Sequence, residues 1–199
     1  IATDMDRILK DQGHESYVAF GRGDPRNCEN SIRIGTKWDT YAHVALTRVW
    51  DKHGFGSKRA TRAFLREVER LDPDIIHLHN IHGYYINVEL LFDYLGAAEK
   101  PIVWTLHDCW PFTGHCSYFD YVGCDKWETG CFSCPQQKEN PSSVLLDNSR
   151  ENFIRKRDAF SRIKNMTIVT PSQWLAGLVR QSFLGDYPVK VINNGIDLE

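Results

Sequence analysis

The sequence lacks a long apolar run, a strong net charge and any low-complexity segment. No stretch of about 18 or more apolar residues occurs, which excludes a helix of the kind that spans a bilayer. The 24 Lys and Arg residues nearly balance the 26 Asp and Glu residues, so a net charge of −2 gives no reason to expect a nucleic-acid partner. The Gly-x-Ser-x-Gly signature of common serine hydrolases is also absent.

The chain also lacks a basic start followed by an apolar stretch, which is the pattern of a secretory signal peptide. Without an export signal we expect the six cysteines to be thiols or metal ligands rather than disulfides. A length of 199 residues, with 42% hydrophobic and 12% aromatic, supports a packed core in one large domain or two small ones.

Helix-like and strand-like patterns alternate along the chain. Apolar spacing and capping residues predict helices over 2–12, 38–50, 58–71, 87–98, 150–163 and 172–183, and strands over 16–20, 31–34, 74–79, 101–107, 166–170 and 190–192. Such alternation predicts an α/β fold with a Rossmann-like, doubly wound, mostly parallel sheet. These folds usually begin with a central strand and a glycine-rich turn, and this chain begins with a helix. We therefore expect a missing leading strand and a gap between strands 16–20 and 74–79.

Two predicted strands end in polar loops that contain histidine. His79, Asn80 and His82 follow the first of these strands, and His107 and Asp108 follow the next. Loops at the carboxyl ends of parallel strands line the ligand crevice, so we expect these five side chains to bind a polar substrate such as a sugar. The alternative is structural: a histidine satisfied by nearby backbone, and an aspartate that caps a turn.

A metal-dependent hydrolase is a further alternative for the first of these loops. His77 shares a strand face with His79, and a third histidine follows at position 82. Three such imidazoles are candidate metal ligands.

Five of the six cysteines fall within a long, irregular stretch that runs from about residue 108 to 149, and four of them form a cluster. They are Cys116, Cys124, Cys131 and Cys134. The Cys-x2-Cys end of this series matches the spacing of tetrahedral zinc sites, and a bound metal would stabilise a loop that has little core of its own. Reduced thiols and disulfides remain alternatives. Cys28 and Cys109 lie outside the cluster and are interpreted as packing residues.

The segment from Trp38 to Arg66 mixes aromatic and cationic side chains. They are Trp38, Tyr41, Trp50, Phe55, Lys58, Arg59, Arg62 and Arg66. One interpretation is a surface that meets a membrane or a lipid-linked acceptor. The other interpretation is a core-facing aromatic stripe beside a solvated basic face. We prefer this second interpretation for the helix over 38–50.

Four motifs together resemble family 4 (group 1) glycosyltransferases. They span residues 77–85, 107–116, 170–176 and 191–197, and the last contains Asn-Gly-Ile-Asp. The similarity covers essentially the whole chain. It is greatest to the bacterial enzymes that build colanic-acid-type exopolysaccharide, capsule or O-antigen.

Leu198 and Glu199 are interpreted from the sequence alone as a vector remnant. The resemblance implies the N-terminal, acceptor-side half of a GT-B fold over residues 1–197, and the Cys-rich stretch is a long loop insertion in it. The resemblance also implies a retaining, metal-independent hexosyltransferase in which His107 lies beside the donor sugar. The nucleotide-sugar donor would bind mainly to a C-terminal domain whose Glu-x7-Glu element is absent here, so this fragment should be inactive alone.

The implied acceptor is a glycan or a polyprenyl-linked glycan, and the implied location is the cytoplasm, peripheral to the inner face of the membrane. The competing hypothesis is a non-catalytic α/β module that binds sugars or small molecules and has a zinc-stapled loop. A reading frame that continues past Asp197 by about one domain's length would favour the enzyme.

Overall fold

Helices and strands alternate through residues 1–25 and 28–195, which the computed structural model describes. The helices there are α1 (Ala2–Asp11), α2 (Lys37–Trp50), α3 (Lys58–Leu71), α4 (Val88–Ala98), α5 (Ser149–Phe160) and α6 (Gln173–Gln181). The strands are β1 (Val18–Phe20), β2 (Ser31–Arg33), β3 (Ile76–Leu78), β4 (Ile102–Thr105), β5 (Met166–Thr170) and β6 (Val189–Val191). Every predicted helix and strand is present. The Asn-Gly-Ile-Asp motif extends beyond residue 195, so Ile196, Asp197 and the suspected vector remnant lie outside the described residues.

All strand pairings are parallel. Strands β3, β4, β5 and β6 form one sheet in that order, and β1 and β2 form a second sheet. The register places Leu78 opposite Trp104 and Trp104 opposite Ile168. Parallel neighbours need crossover connections, and α4 and α6 supply them for β3–β4 and β5–β6. The predicted α/β class with parallel sheets is confirmed, and it is consistent with a Rossmann-like half of a GT-B fold.

The predicted gap between the strands near residues 20 and 76 is also confirmed. No strand pairing joins β1 to β3 among the described residues. The end of β1 nevertheless approaches the loop after β3, because a Cβ atom added at Gly21 would lie 1.9 Å from the ring of Tyr85. Only glycine allows this close contact.

Three aromatic rings form the centre of the core. Phe92 of α4, Trp104 of β4 and Phe160 of α5 are almost fully buried, with ring centroids 4.3 to 5.2 Å apart. Rings at these separations gain edge-to-face or tilted contacts in addition to the burial of their surface. The core therefore fixes α4 and α5 against β4, the strand that leads to His107.

The core-facing aromatic stripe that we preferred for α2 is wrong. Trp38 is 79% exposed and Tyr41 is 62% exposed, with their rings in edge contact at 6.0 Å. The buried residues of this helix are instead His43 and Thr47. A polar pair can occupy the buried face because its hydrogen-bonding groups are satisfied there.

The connection between β4 and β5 is irregular apart from three short 3-10 turns, at Trp110–Phe112, Asp120–Val122 and Lys126–Glu128. It contains five of the six cysteines, as predicted. It is not a solvated loop, because Phe112, Phe119 and Trp127 are buried in it. No helix in residues 1–25 and 28–195 is long and apolar enough to cross a membrane.

Candidate functional site

The two polar loops meet at one edge of the larger sheet. His79 follows the last residue of β3, and His107 lies two residues beyond the end of the adjacent strand β4. The Nδ1 atom of His79 lies 3.2 Å from Nε2 of His107, and the two rings are nearly parallel. Parallel pairing of β3 with β4 produces this contact, because it brings both carboxyl ends to the same edge.

The histidines of these strand ends form a neutral stack. The ring of His77 stacks on that of His79 at 4.4 Å, and its Nε2 atom contacts the Thr105 hydroxyl at 2.8 Å. Burial lowers the pKa of His79 to about 4, and the neighbouring His77 and His107 add to this effect. Burial also lowers the pKa of His107, although the charge of Asp108 opposes it. Two neutral imidazoles share one hydrogen bond when one ring donates and the other accepts, so the tautomers of His79 and His107 are linked.

His82 and Asp108 form a second polar pair beside the stack. Nε2 of His82 lies 3.0 Å from Oδ2 of Asp108, while Oδ1 of Asp108 accepts a hydrogen bond from the Trp110 backbone N–H at 3.0 Å. The His82 ring stacks on Trp110 at 4.7 Å. Asp108 therefore caps a turn, as the structural alternative proposed, and also contacts a site histidine.

His53, which no motif in the sequence identifies, lies against this pair. Its ring is 5.6 Å from His82, 4.5 Å from Tyr84 and 5.4 Å from Trp110. His53 is 4% exposed, and neither ring nitrogen has a hydrogen-bond partner among the described residues. The only sequence signal was a histidine in a glycine-flanked loop, which is weak by itself.

His43 of α2 holds the loop that carries His53. Its Nε2 atom accepts hydrogen bonds from the backbone N–H groups of Gly54 and Gly56, at 3.2 and 3.1 Å. Since Nε2 is the acceptor, Nδ1 carries the proton and donates to the Ser57 hydroxyl at 2.9 Å. Ser57 occupies the N-cap position of α3 but makes no cap hydrogen bond. Its hydroxyl is already bonded to His43.

The family of the chain follows from comparison with known proteins. The family model described as Glycosyltransferase Family 4 matches residues 2–199. The chain belongs to glycosyltransferase family 4. Within the curated proteins, a protein named "Putative colanic acid biosynthesis glycosyl transferase WcaC", from Escherichia coli (strain K12), is 29% identical over 213 residues. The match covers 100% of this chain and 51% of that protein, so the chain spans about half the length of this relative. No solved structure matches the chain.

The polar residues of this family 4 domain border a small depression of about 170 Å³. His79, Asn80, His82, His107 and Asp108 all line it. The Asn80 side chain is exposed, and its backbone carbonyl accepts a hydrogen bond from the Tyr85 hydroxyl at 2.6 Å.

The family 4 domain does not bring together the three histidines of the hydrolase alternative. His82 contacts Asp108, whereas His77 stacks on His79, and His79 stacks on His107. Within residues 1–25 and 28–195, no group of three His, Cys, Asp or Glu side chains is arranged to hold a metal ion. The metal-dependent hydrolase is therefore without structural support.

The cysteine loop likewise contains no group of side chains arranged to hold a metal ion among the described residues. All six cysteines are free thiols. Cys116, Cys124, Cys131 and Cys134 nevertheless line one small cavity, while Cys28 and Cys109 do not. The predicted grouping of four cysteines is thus present, without coordination geometry.

Proposed function

We propose that this chain is the acceptor-side half of a retaining, nucleotide-sugar-dependent glycosyltransferase of cell-surface polysaccharide biosynthesis. Membership of family 4 and the name of the Escherichia coli relative support the reaction class and the biological context. The observation that carries the proposal is the contact of His79 with His107 at the carboxyl ends of adjacent parallel strands. This is where an open α/β sheet binds its ligand.

In this proposal His107 hydrogen-bonds to the donor sugar and supports the charge that develops at its anomeric carbon. A neutral imidazole suits this role, and burial keeps His107 neutral by lowering its pKa. The contact with His79 orients the His107 ring before the substrate arrives, so less entropy is lost on reaching the transition state. His79 is thus a positioning residue for His107.

In the proposed reaction the donor phosphate itself acts as the base. The acceptor hydroxyl oxygen forms the new bond to the anomeric carbon, the bond from that carbon to the donor phosphate oxygen breaks, and a phosphate oxygen takes the hydroxyl proton. No protein nucleophile and no resident metal ion take part. The donor nucleotide is bound by sequence outside this chain, which spans about half the length of its relative.

His82, Asp108 and Asn80 are proposed to bind acceptor hydroxyl groups. The Asp108 carboxylate is held in a fixed orientation for hydrogen bonding, because the Trp110 N–H donates to one of its oxygens. His82 is held against the other oxygen, and the exposed Asn80 amide supplies both donors and an acceptor.

A membrane-bound, polyprenyl-linked acceptor is the finer proposal. Trp38, Tyr41 and Trp50 expose large aromatic surfaces on α2, and Leu145 is exposed in the segment that hydrogen-bonds to the end of this helix. Exposed aromatic residues of this size are typical of proteins that lie in a bilayer interface. In this proposal the enzyme is cytoplasmic and binds peripherally to the inner leaflet.

The test is sugar transfer by the product of the complete reading frame, assayed against a panel of nucleotide sugars and lipid-linked or free glycan acceptors. We expect transfer with retention for at least one donor. His107→Ala should lower kcat/KM by about 100-fold or more, the usual effect of removing one transition-state hydrogen bond, and His107→Gln by less. His14→Ala is the control, because His14 is exposed and outside the site. Sugar binding without transfer would favour the non-catalytic module, and normal activity of His107→Ala would refute the assigned role.

A further inference from the structure

Four cysteines that are spread over nineteen sequence positions converge on one cavity. Cys116, Cys124, Cys131 and Cys134 all line it, and its volume is about 10 Å³. A space of this size holds about one water molecule or one ion. The thiols come from three separate parts of the irregular connection, since only Cys131 and Cys134 are near neighbours, so the tertiary structure brings them together.

The surrounding loop is built to keep these four side chains close. Phe112, Phe119 and Trp127 form a small aromatic cluster, with the rings of Phe119 and Trp127 stacked at 4.9 Å. The ammonium group of Lys126 donates to the backbone carbonyls of Phe132 and Ser133, both at 3.0 Å. These bonds hold the turn that separates Cys131 from Cys134.

One further contact involves a sulfur atom itself. The Gly114 backbone N–H donates to Sγ of Cys131 at 3.1 Å. A Cβ atom at Gly114 would lie 2.6 Å from the Cβ of Cys131 and 2.1 Å from the Ser149 carbonyl oxygen. Glycine is therefore required for this approach. Backbone N–H donors to sulfur stabilise thiolates, the form that binds metal.

An unpartnered histidine nitrogen is a second, independent observation at this cavity. His115 also lines the cavity and is 1% exposed, yet its Nε2 atom has no hydrogen-bond partner among the described residues. Its Nδ1 atom is held by the Asp51 carboxylate at 2.5 Å. Because Nδ1–H donates to the Asp51 carboxylate, the neutral ring leaves an unpaired lone pair on Nε2, and a buried lone pair without a partner is costly. A spare electron-pair donor at this cavity favours a cation there.

We propose that Cys116, Cys124, Cys131 and Cys134 bind one zinc ion as four thiolates. The thiols surround the cavity but do not yet stand in coordination geometry, so binding draws the four sulfur atoms inward around the ion. The site is closed by four protein ligands, which is the arrangement of structural rather than catalytic zinc. The free energy of metal binding then stabilises the long connection between β4 and β5, which places His107 and Asp108 at its start.

The chemistry of the cluster favours zinc over disulfides. One cavity shared by four sulfur atoms suits one tetrahedral ion, whereas two disulfides would divide the sulfur atoms into two separate pairs. The Cys131-x2-Cys134 spacing supplies the short chelate that tetrahedral zinc sites use. The proposal is independent of the transfer reaction, since no ligand of this site lies in the depression around His107.

The experiment measures metal in the protein purified without chelators and with a reductant. Elemental analysis should give one zinc ion per chain, and replacement by Co(II) should give the sulfur-to-cobalt charge-transfer and strong visible bands of a tetrahedral tetrathiolate site. Cys131→Ser and Cys134→Ser should lose the zinc. Cys28→Ser is the matched control and should keep it, because Cys28 does not line the cavity.

The wild-type measurements keep the proposal testable even if the serine variants fail to fold. Zinc far below one ion per chain, Co(II) bands without thiolate character, or disulfide bonds among these four cysteines in the reduced preparation would each overturn it. A zinc-containing protein that transfers no sugar would leave this proposal standing and refute only the proposed function.

Discussion

Replacement of His43 by glutamine gives a sharp test of how the site loop is held. His43 is 1% exposed and accepts hydrogen bonds from Gly54 and Gly56 through Nε2. Burial lowers its pKa to about 4 in the folded chain, although a backbone hydrogen bond opposes this. In the unfolded chain its pKa returns to about 6.5. Proton binding therefore favours the unfolded state between these two pKa values.

The sign and size of the effect follow from this difference. His43 makes its full contribution to folding stability above about pH 6.5, and that contribution is lost as the pH falls towards 4. Between about pH 7.5 and pH 5, linkage gives a loss of about 2 kcal/mol from this one residue. His43→Gln keeps a side-chain oxygen as acceptor but cannot bind a proton in this range.

The assay is urea unfolding of wild type and His43→Gln at both pH values. We expect the variant to be less stable near pH 7.5 by about 1 to 3 kcal/mol, since its hydrogen bonds to Gly54 and Gly56 are less well formed. Near pH 5 this deficit should shrink by about 2 kcal/mol, because only the wild type carries the His43 acid penalty. Comparison between the two proteins cancels the acid sensitivity of the other buried histidines.

The exposed residue His14 provides the matched control. His14→Gln should have the same effect on the free energy of unfolding at both pH values, because this side chain lies in solvent. A His43→Gln deficit that stays constant between the two pH values would refute the reasoning. So would a His14→Gln difference as large as that of His43→Gln.

Three further substitutions test the packing around the site. Gly56→Ala places a methyl group 2.5 Å from the His43 ring, so we expect a loss of about 1 to 3 kcal/mol in urea unfolding, and an unchanged midpoint would contradict the contact. Asn87→Ala removes the cap of α4 and a buried hydrogen bond to the Phe55 carbonyl. A thermal melt should show that the free energy of unfolding falls by about 2 to 4 kcal/mol. A change within experimental error would show that neither hydrogen bond stabilises the fold. Trp38→Ser should change the free energy of unfolding by only about 0.5 kcal/mol, because this side chain is 79% exposed, whereas a loss of several kcal/mol would place it in a core.

Much of the architecture could be predicted because its signals are local. The alternation of apolar runs with helical patterns gave the order of elements and the parallel sheet, and it located the strand ends at His79 and His107. The contact between these two histidines then follows from parallel topology alone. Four cysteines in one loop were likewise visible as a group.

Other features depend on partners that are distant in sequence. The buried face of α2 was predicted wrongly, because apolar spacing identifies a stripe but does not show whether another element covers it. Trp38 is exposed to solvent. His43 can be buried because the N–H groups of Gly54 and Gly56 donate hydrogen bonds to its ring. The Ser57 hydroxyl hydrogen-bonds to His43, whereas local capping rules would assign it to the N-terminus of α3.

The amino-acid order by itself determined where strands and helices form and which polar groups stand at the strand ends, because backbone periodicity and capping act within a few residues. Only the tertiary structure decided that His53 lies against His82, that Gly114 lies against Cys131, and that four thiols line a single cavity. Those contacts join segments many residues apart, and they exist only once close packing has fixed which surfaces meet.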